Sequence, residues 1–94
     1  MDVFDEKVFE ETVWKPIREK FLMCGKENFK TTKGFVLDIL GSEGIKKGIE
    51  DSLNPPGFWG FVLKKLGLKK LIVNKIFSFL NLKVNNLTWE EIIK

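Results

Sequence analysis

Hydrophobic residues in the first quarter of the chain recur with the spacing of a helix. Phe9, Val13, Ile17 and Phe21 follow one another at intervals of four residues, which places their side chains along one side of an α-helix. The pattern predicts an amphipathic helix over residues 2–24. Its apolar stripe is expected to form part of the protein core.

Pro16 lies inside this pattern. Proline has no amide hydrogen to donate, and its ring crowds the carbonyl group of Thr12 one turn earlier. The sequence therefore predicts a kink, or two abutting helices, near Pro16. Gly25 is the natural end of the segment, since glycine is the common residue just past a helix C-terminus.

Turn-forming residues divide the rest of the chain into short helices. The clearest loop is 54–57, Asn-Pro-Pro-Gly, because two prolines cannot continue a helix. Thr88 and Glu91 have the spacing of a capping box and predict a final helix. Between these points we expect helices over residues 31–40, 42–53, 58–66 and 69–81, and a short extended piece at 82–84. The sequence therefore predicts a single all-α domain over residues 1–94, a small compact bundle of about five or six short helices.

The composition argues against catalysis. Hydrophobic residues make up 44% of the chain and charged residues 31%, as in an ordinary globular protein. There is no histidine, which removes the commonest general base and the commonest metal ligand. Cys24 is the single cysteine, so no disulfide can form within the chain. We therefore expect a binding protein rather than an enzyme, without a cofactor or a metal.

The same features bear on location. A single cysteine fits a reducing compartment, and the first residues are acidic and lack the apolar run of a secretory signal. The sequence predicts a cytoplasmic protein.

Charge is distributed unevenly. Residues 1–50 carry nine basic and ten acidic groups, whereas residues 51–94 carry seven basic and three acidic groups. A basic second half favours an anionic partner, although a solvated lysine-rich face is an equally good explanation.

A short internal repeat precedes two lysine pairs. Residues 34–41 and 60–67 agree at six of eight positions, and each segment ends in glycine. Lys46-Lys47 follows the first copy and Lys69-Lys70 follows the second. Both a duplicated helix-turn unit and a coincidence between two amphipathic helices account for the agreement.

Residues 59–80 resemble the helix-turn-helix of DNA-binding proteins, with Gly67 as the glycine of the turn. The apolar positions of that motif are occupied by Val62, Leu66, Leu68, Val73 and Ile76. The sequence departs from the pattern at Leu63, where the family usually has a small residue because the two helices touch. The resemblance extends over about twenty residues and does not point to a particular family of DNA-binding proteins.

The resemblance implies that the second helix enters the major groove of double-stranded DNA. Lysine side chains would neutralise phosphates, and the side-chain amide of Asn74 would suit the edge of adenine. Proteins with this motif usually bind as dimers, so a homodimer is also expected. The predicted DNA-binding residues are Lys64, Lys65, Lys69, Lys70, Asn74, Lys75 and Ser78.

Two alternatives remain open. The helix after Gly67 is apolar around most of its circumference, with one polar stripe formed by Lys70, Asn74, Ser78 and Asn81. Such a helix is either central in the core or covered by a partner, which favours a protein-protein interaction module. Aromatic residues at 58–61 before lysine-rich helices also resemble sequences that bind a membrane surface. That interpretation ranks last, because aromatic residues more often pack in a core, as we also expect for the three tryptophans.

Overall fold

The computed structural model of the protein describes residues 4–54 and 57–94. Its described residues are predominantly helical, in agreement with the all-α fold expected from the sequence. The α-helices are α1 (Glu6–Phe9), α2 (Lys15–Cys24), α3 (Phe29–Lys33), α4 (Val36–Leu40), α5 (Ser42–Ser52), α6 (Gly57–Lys65), α7 (Leu68–Asn85) and α8 (Trp89–Ile93).

A turn of π-helix, Glu10–Trp14, joins α1 to α2. The backbone N–H of Lys15 donates to the carbonyl oxygen of Glu10, five residues earlier. This wider spacing occurs directly before Pro16, which lies in the first turn of α2. The helical backbone is continuous on both sides of this turn, so the π turn is where the chain accommodates the missing N–H of Pro16. The predicted irregularity near Pro16 is therefore a π turn between two abutting helices.

The chain enters α1 through Asp5. Its carboxylate accepts from the backbone N–H groups of Lys7 and Val8, so Asp5 is the N-cap. Phe4 and Leu53 form an isolated antiparallel bridge, which ties the start of α1 to the end of α5. The predicted helix start at Asp2 lies outside the described residues.

The core is built on the stripe predicted for the first segment. Val13, Ile17 and Phe21 are completely buried. Ile45 and Ile49 of α5 join the same cluster, and α7 adds its own apolar face through the residues Val73, Leu80 and Val84. One face of α7 is therefore packed against the rest of the protein, and α5 is its main neighbour.

The last helix is fastened to α2. The guanidinium of Arg18 donates to the backbone oxygens of Ile92 and Lys94, at 2.9 and 2.8 Å. At the other end of α8, the hydroxyl of Thr88 accepts from the backbone N–H of Glu91, and the Glu91 carboxylate accepts from the backbone N–H of Thr88. The predicted capping box is thus confirmed.

Two predicted boundaries were wrong. The expected helix over 31–40 is broken at Gly34 and Phe35 into α3 and α4. The expected extended piece at 82–84 belongs to α7, because burying Val84 on the same face as Leu80 favours continuing the helix. The prolines of the expected loop at 54–57 lie outside the described residues.

Candidate nucleic-acid interface

The helix that the resemblance singles out lies at the surface of the protein. Although one face of α7 is buried, Lys70, Asn74, Ser78 and Asn81 are all exposed. These residues recur every three or four positions, so they form one polar stripe along the solvent side of the helix. The hydroxyl of Ser78 donates to the carbonyl oxygen of Asn74. This bond uses the backbone oxygen of Asn74, and the Asn74 side chain is exposed on the stripe.

A cleft separates the first half of α7 from α5. It has a volume of about 430 Å³, and its lining includes the five lysines Lys46, Lys47, Lys64, Lys69 and Lys70. Both lysine pairs that follow the internal repeat therefore face the same space, although they are 22 residues or more apart in the chain. Asn74 also lines the cleft. Helix α6 contributes Lys64.

Most of the net positive charge of the described residues lies at the cleft. Its lining contains five lysines and two glutamates, Glu43 and Glu50. The described residues include all 16 basic residues of the chain and 12 of its 13 acidic residues, so eleven basic and ten acidic residues lie outside the lining. Away from the cleft the described residues are therefore close to neutral in formal charge. An anionic ligand is therefore attracted more strongly to the cleft than to the rest of the described surface.

The two lysines of α5 have partners within their own helix. Lys47 Nζ lies 3.0 Å from Asp51 Oδ1, and this hydrogen bond, followed by the attraction of the Asp51 and Glu50 charges, raises the pKa of Lys47. Lys46 Nζ lies 4.0 Å from Glu43 Oε1 and 5.0 Å from the centre of the Phe77 ring. The contact with Phe77 of α7 holds Lys46 at the cleft between the two helices.

The predicted site residues do not all meet in one place. Lys64, Lys69, Lys70 and Asn74 line the cleft. Outside its lining are the remaining three, Lys65, Lys75 and Ser78, all of which are exposed. The residues missed by sequence reasoning are Lys46 and Lys47. Their only signal was the lysine pair after each copy of the repeat.

The turn between α6 and α7 is exposed to solvent. Gly67 has a positive φ of 71°, a conformation that glycine adopts without steric cost. Of the apolar positions that the resemblance implies for helix packing, Val73 is buried, whereas Leu66 is 67% exposed and Leu68 is 38% exposed. The contact between α6 and α7 is therefore less buried around the turn than the motif implies.

The open turn belongs to a longer exposed segment. Residues 57–72, which we call the apolar arm, include no buried residue. Nine of its sixteen residues are nevertheless large and apolar. The expectation that all three tryptophans pack in the core is wrong for Trp59, which is 62% exposed, whereas Trp14 and Trp89 pack against the core. Helix α6, which makes up the first half of the arm, packs mainly against α7.

Similarity to known proteins adds no further information about this site. No family model, no curated protein and no solved structure matches the chain. The arguments about function therefore depend on the geometry and chemistry of the cleft and the apolar arm.

Proposed function

We propose that the protein is a non-enzymatic binding protein whose ligand is double-stranded DNA. The observation that carries the proposal is the convergence of five lysines from α5, α6 and α7 on one cleft. Phosphates dominate the affinity of proteins for DNA, and lysines that neutralise them release condensed counterions. The strand backbone would lie along the cleft.

The polar stripe of α7 borders the same cleft and supplies the groups that read bases. Asn74 belongs to both the stripe and the cleft lining. An asparagine side chain donates and accepts in one plane, which matches the major-groove edge of adenine. Lys70 and Ser78 flank Asn74 on the exposed side of the helix. Phosphate contacts would therefore position α7, and Asn74 would supply sequence preference.

This proposal differs from the helix-turn-helix hypothesis in one testable respect. A helix-turn-helix over residues 59–80 requires Lys69, Lys70 and Lys75 but gives no role to α5. The cleft gives Lys46 and Lys47 of α5 a direct role in holding phosphate.

The experiment is a titration of a fluorescent DNA duplex with the protein at low salt, followed by anisotropy. We expect Lys46→Gln/Lys47→Gln to weaken binding several-fold, and Lys69→Gln/Lys70→Gln to weaken it at least as much. The matched control is Lys7→Gln/Lys15→Gln, which removes the same charge from two exposed lysines outside the cleft. The proposal fails if the wild-type protein does not bind duplex, or if the control pair weakens binding as much as the α5 pair.

A further inference from the structure

The apolar arm exposes several large hydrophobic side chains to solvent. Phe58, Trp59 and Phe61 are 72%, 62% and 63% exposed. With about 200 Å² for a fully exposed aromatic side chain, these three leave roughly 400 Å² in water. Leu66 and Leu71, 67% and 64% exposed, add further apolar surface on the same segment. A ligand that covers the arm would therefore remove a large apolar area from water.

The lysines in and near the arm indicate that such a ligand is negatively charged. From residue 52 to residue 89 the chain has six lysines and no acidic residue. Within the arm, Lys65 Nζ lies 5.4 Å from the centre of the Phe61 ring, and Lys64 lies next to it in the chain. The ammonium group of Lys65 thus lies beside the exposed ring of Phe61. A ligand complementary to the arm therefore combines an apolar region, which the rings can enter, with negative charge.

We propose that the apolar arm docks onto the surface of a bilayer that contains anionic lipids. Phenylalanine, tryptophan and leucine side chains enter the boundary between headgroups and acyl chains, while neighbouring lysines remain among the anionic headgroups. Each lysine near such a surface adds electrostatic attraction. The apolar arm supplies both kinds of side chain within sixteen residues.

Other occupants fit the arm less well. A second copy that paired arm with arm would offer no acidic group to Lys64 and Lys65, because residues 57–72 contain none. Duplex DNA would satisfy the lysines and leave the aromatic rings in water. Among the residues that the structure describes, no helix has the length and apolar character needed to span a bilayer.

This inference does not depend on DNA binding. Phe58, Trp59 and Phe61 do not line the lysine cleft, and Lys46 and Lys47 do not belong to the arm. Lys64, Lys69 and Lys70 belong to both surfaces, so the substitutions that separate the two proposals are those of the aromatic residues and of the two α5 lysines. The two proposals can be tested, and can fail, separately.

The experiment measures flotation of the purified protein with vesicles, in the absence of DNA. Vesicles of phosphatidylcholine alone are compared with vesicles of equal parts phosphatidylcholine and phosphatidylglycerol. We expect the protein to bind the anionic vesicles. The emission of Trp59, obtained by subtracting the spectrum of Trp59→Phe from that of the wild type, should shift to the blue on binding. Phe58→Ser/Phe61→Ser should weaken the partitioning by about tenfold or more. Lys64→Gln/Lys65→Gln should weaken it by about fivefold for each lysine.

The matched control is Phe79→Ser/Leu82→Ser, which removes two side chains of similar exposure, 61% and 60%, outside the arm. Circular dichroism verifies that the arm variant folds, as expected for residues that are mostly exposed. Equal binding by the arm variant and the wild type would overturn the proposal, and so would absence of binding to anionic vesicles. A homodimer that Phe58→Ser/Phe61→Ser dissociates would also overturn it, because the second copy would then cover the arm.

Discussion

Gly48 of α5 lies so close to Thr12 in the π turn that a β-carbon on Gly48 would be 2.8 Å from Thr12 Oγ1. The same carbon would lie 2.8 Å from Cγ2 of Val13, which is completely buried. Thr12 in turn donates its hydroxyl to the carbonyl oxygen of Val8 at 2.7 Å, and the carbonyl oxygen of Gly48 lies 3.4 Å away. The absence of a side chain at Gly48 therefore sets how closely α5 packs on the first helical segment.

We expect Gly48→Ala to lower the free energy of unfolding. Overpacking of this kind costs about 1–3 kcal/mol, and the better helix propensity of alanine offsets about 1 kcal/mol of it. Gly44→Ala is the matched control on the same helix, because its β-carbon would meet nothing within 4 Å. The control should gain about 0.5–1 kcal/mol. Denaturant unfolding measures both, and a Gly48→Ala protein as stable as Gly44→Ala would contradict the close packing.

Arg18 should hold α8 against α2. We expect Arg18→Ala to cost about 1 kcal/mol, because two hydrogen bonds from a charged donor to the backbone of residues 92 and 94 are lost at a partly exposed site. Hydrogen exchange should accelerate most in α8. Lys15→Ala, an exposed position on the same helix, is the control and should leave α8 protected. Uniform exchange changes over the whole protein would argue against a local role for Arg18.

The capping box of α8 predicts a second local effect. Removing the hydroxyl in Thr88→Ala takes one of two acceptors from the N–H of Glu91, which keeps only the carbonyl oxygen of residue 88, at a cost of about 1 kcal/mol. Thr88→Ser keeps the hydroxyl and should behave like the wild type. Thermal unfolding compares the two variants. If the serine variant melts as early as the alanine variant, the methyl group rather than the hydrogen bond matters at this position.

The pKa of Lys47 should depend on Asp51. Because the hydrogen bond to Asp51 raises the pKa of Lys47 above its ordinary value of 10.5, the pair favours the folded state below that pH. This contribution is lost as the pH rises through the folded pKa. Asp51→Asn should move the pKa of Lys47 down towards 10.5, as measured by NMR titration of the lysine side chain. An unchanged titration would show that Asp51 does not pair with Lys47 in solution.

Hydrophobic periodicity predicted the parts of the fold that depend on local patterns. The stripe of Val13, Ile17 and Phe21 is buried as expected, since a repeat of four residues defines one face of a helix. The capping box at Thr88 was also predicted, because its residues are three positions apart and need no distant partner. The π turn was only partly anticipated. Pro16 signals a disturbance but does not specify its form.

The candidate site depended on packing that no local pattern encodes. Lys46 and Lys47 meet the lysines of α7 only because α5 packs on α7, a contact between segments far apart in the sequence. The exposure of Trp59 could not be predicted from the sequence either. An apolar run has the same sequence whether the core or an external partner covers it.

The most direct test of the lysine cleft is the salt dependence of duplex binding. For wild type and Lys64→Gln/Lys69→Gln/Lys70→Gln, the logarithm of the binding constant is measured against the logarithm of salt concentration. Each phosphate contact contributes about 0.9 to the slope, so we predict that the variant loses roughly 2–3 units of slope. Lys7→Gln/Lys15→Gln/Lys26→Gln, with the same change in net charge at exposed positions elsewhere, should keep the wild-type slope. Equal slopes for wild type and the cleft variant would contradict the account.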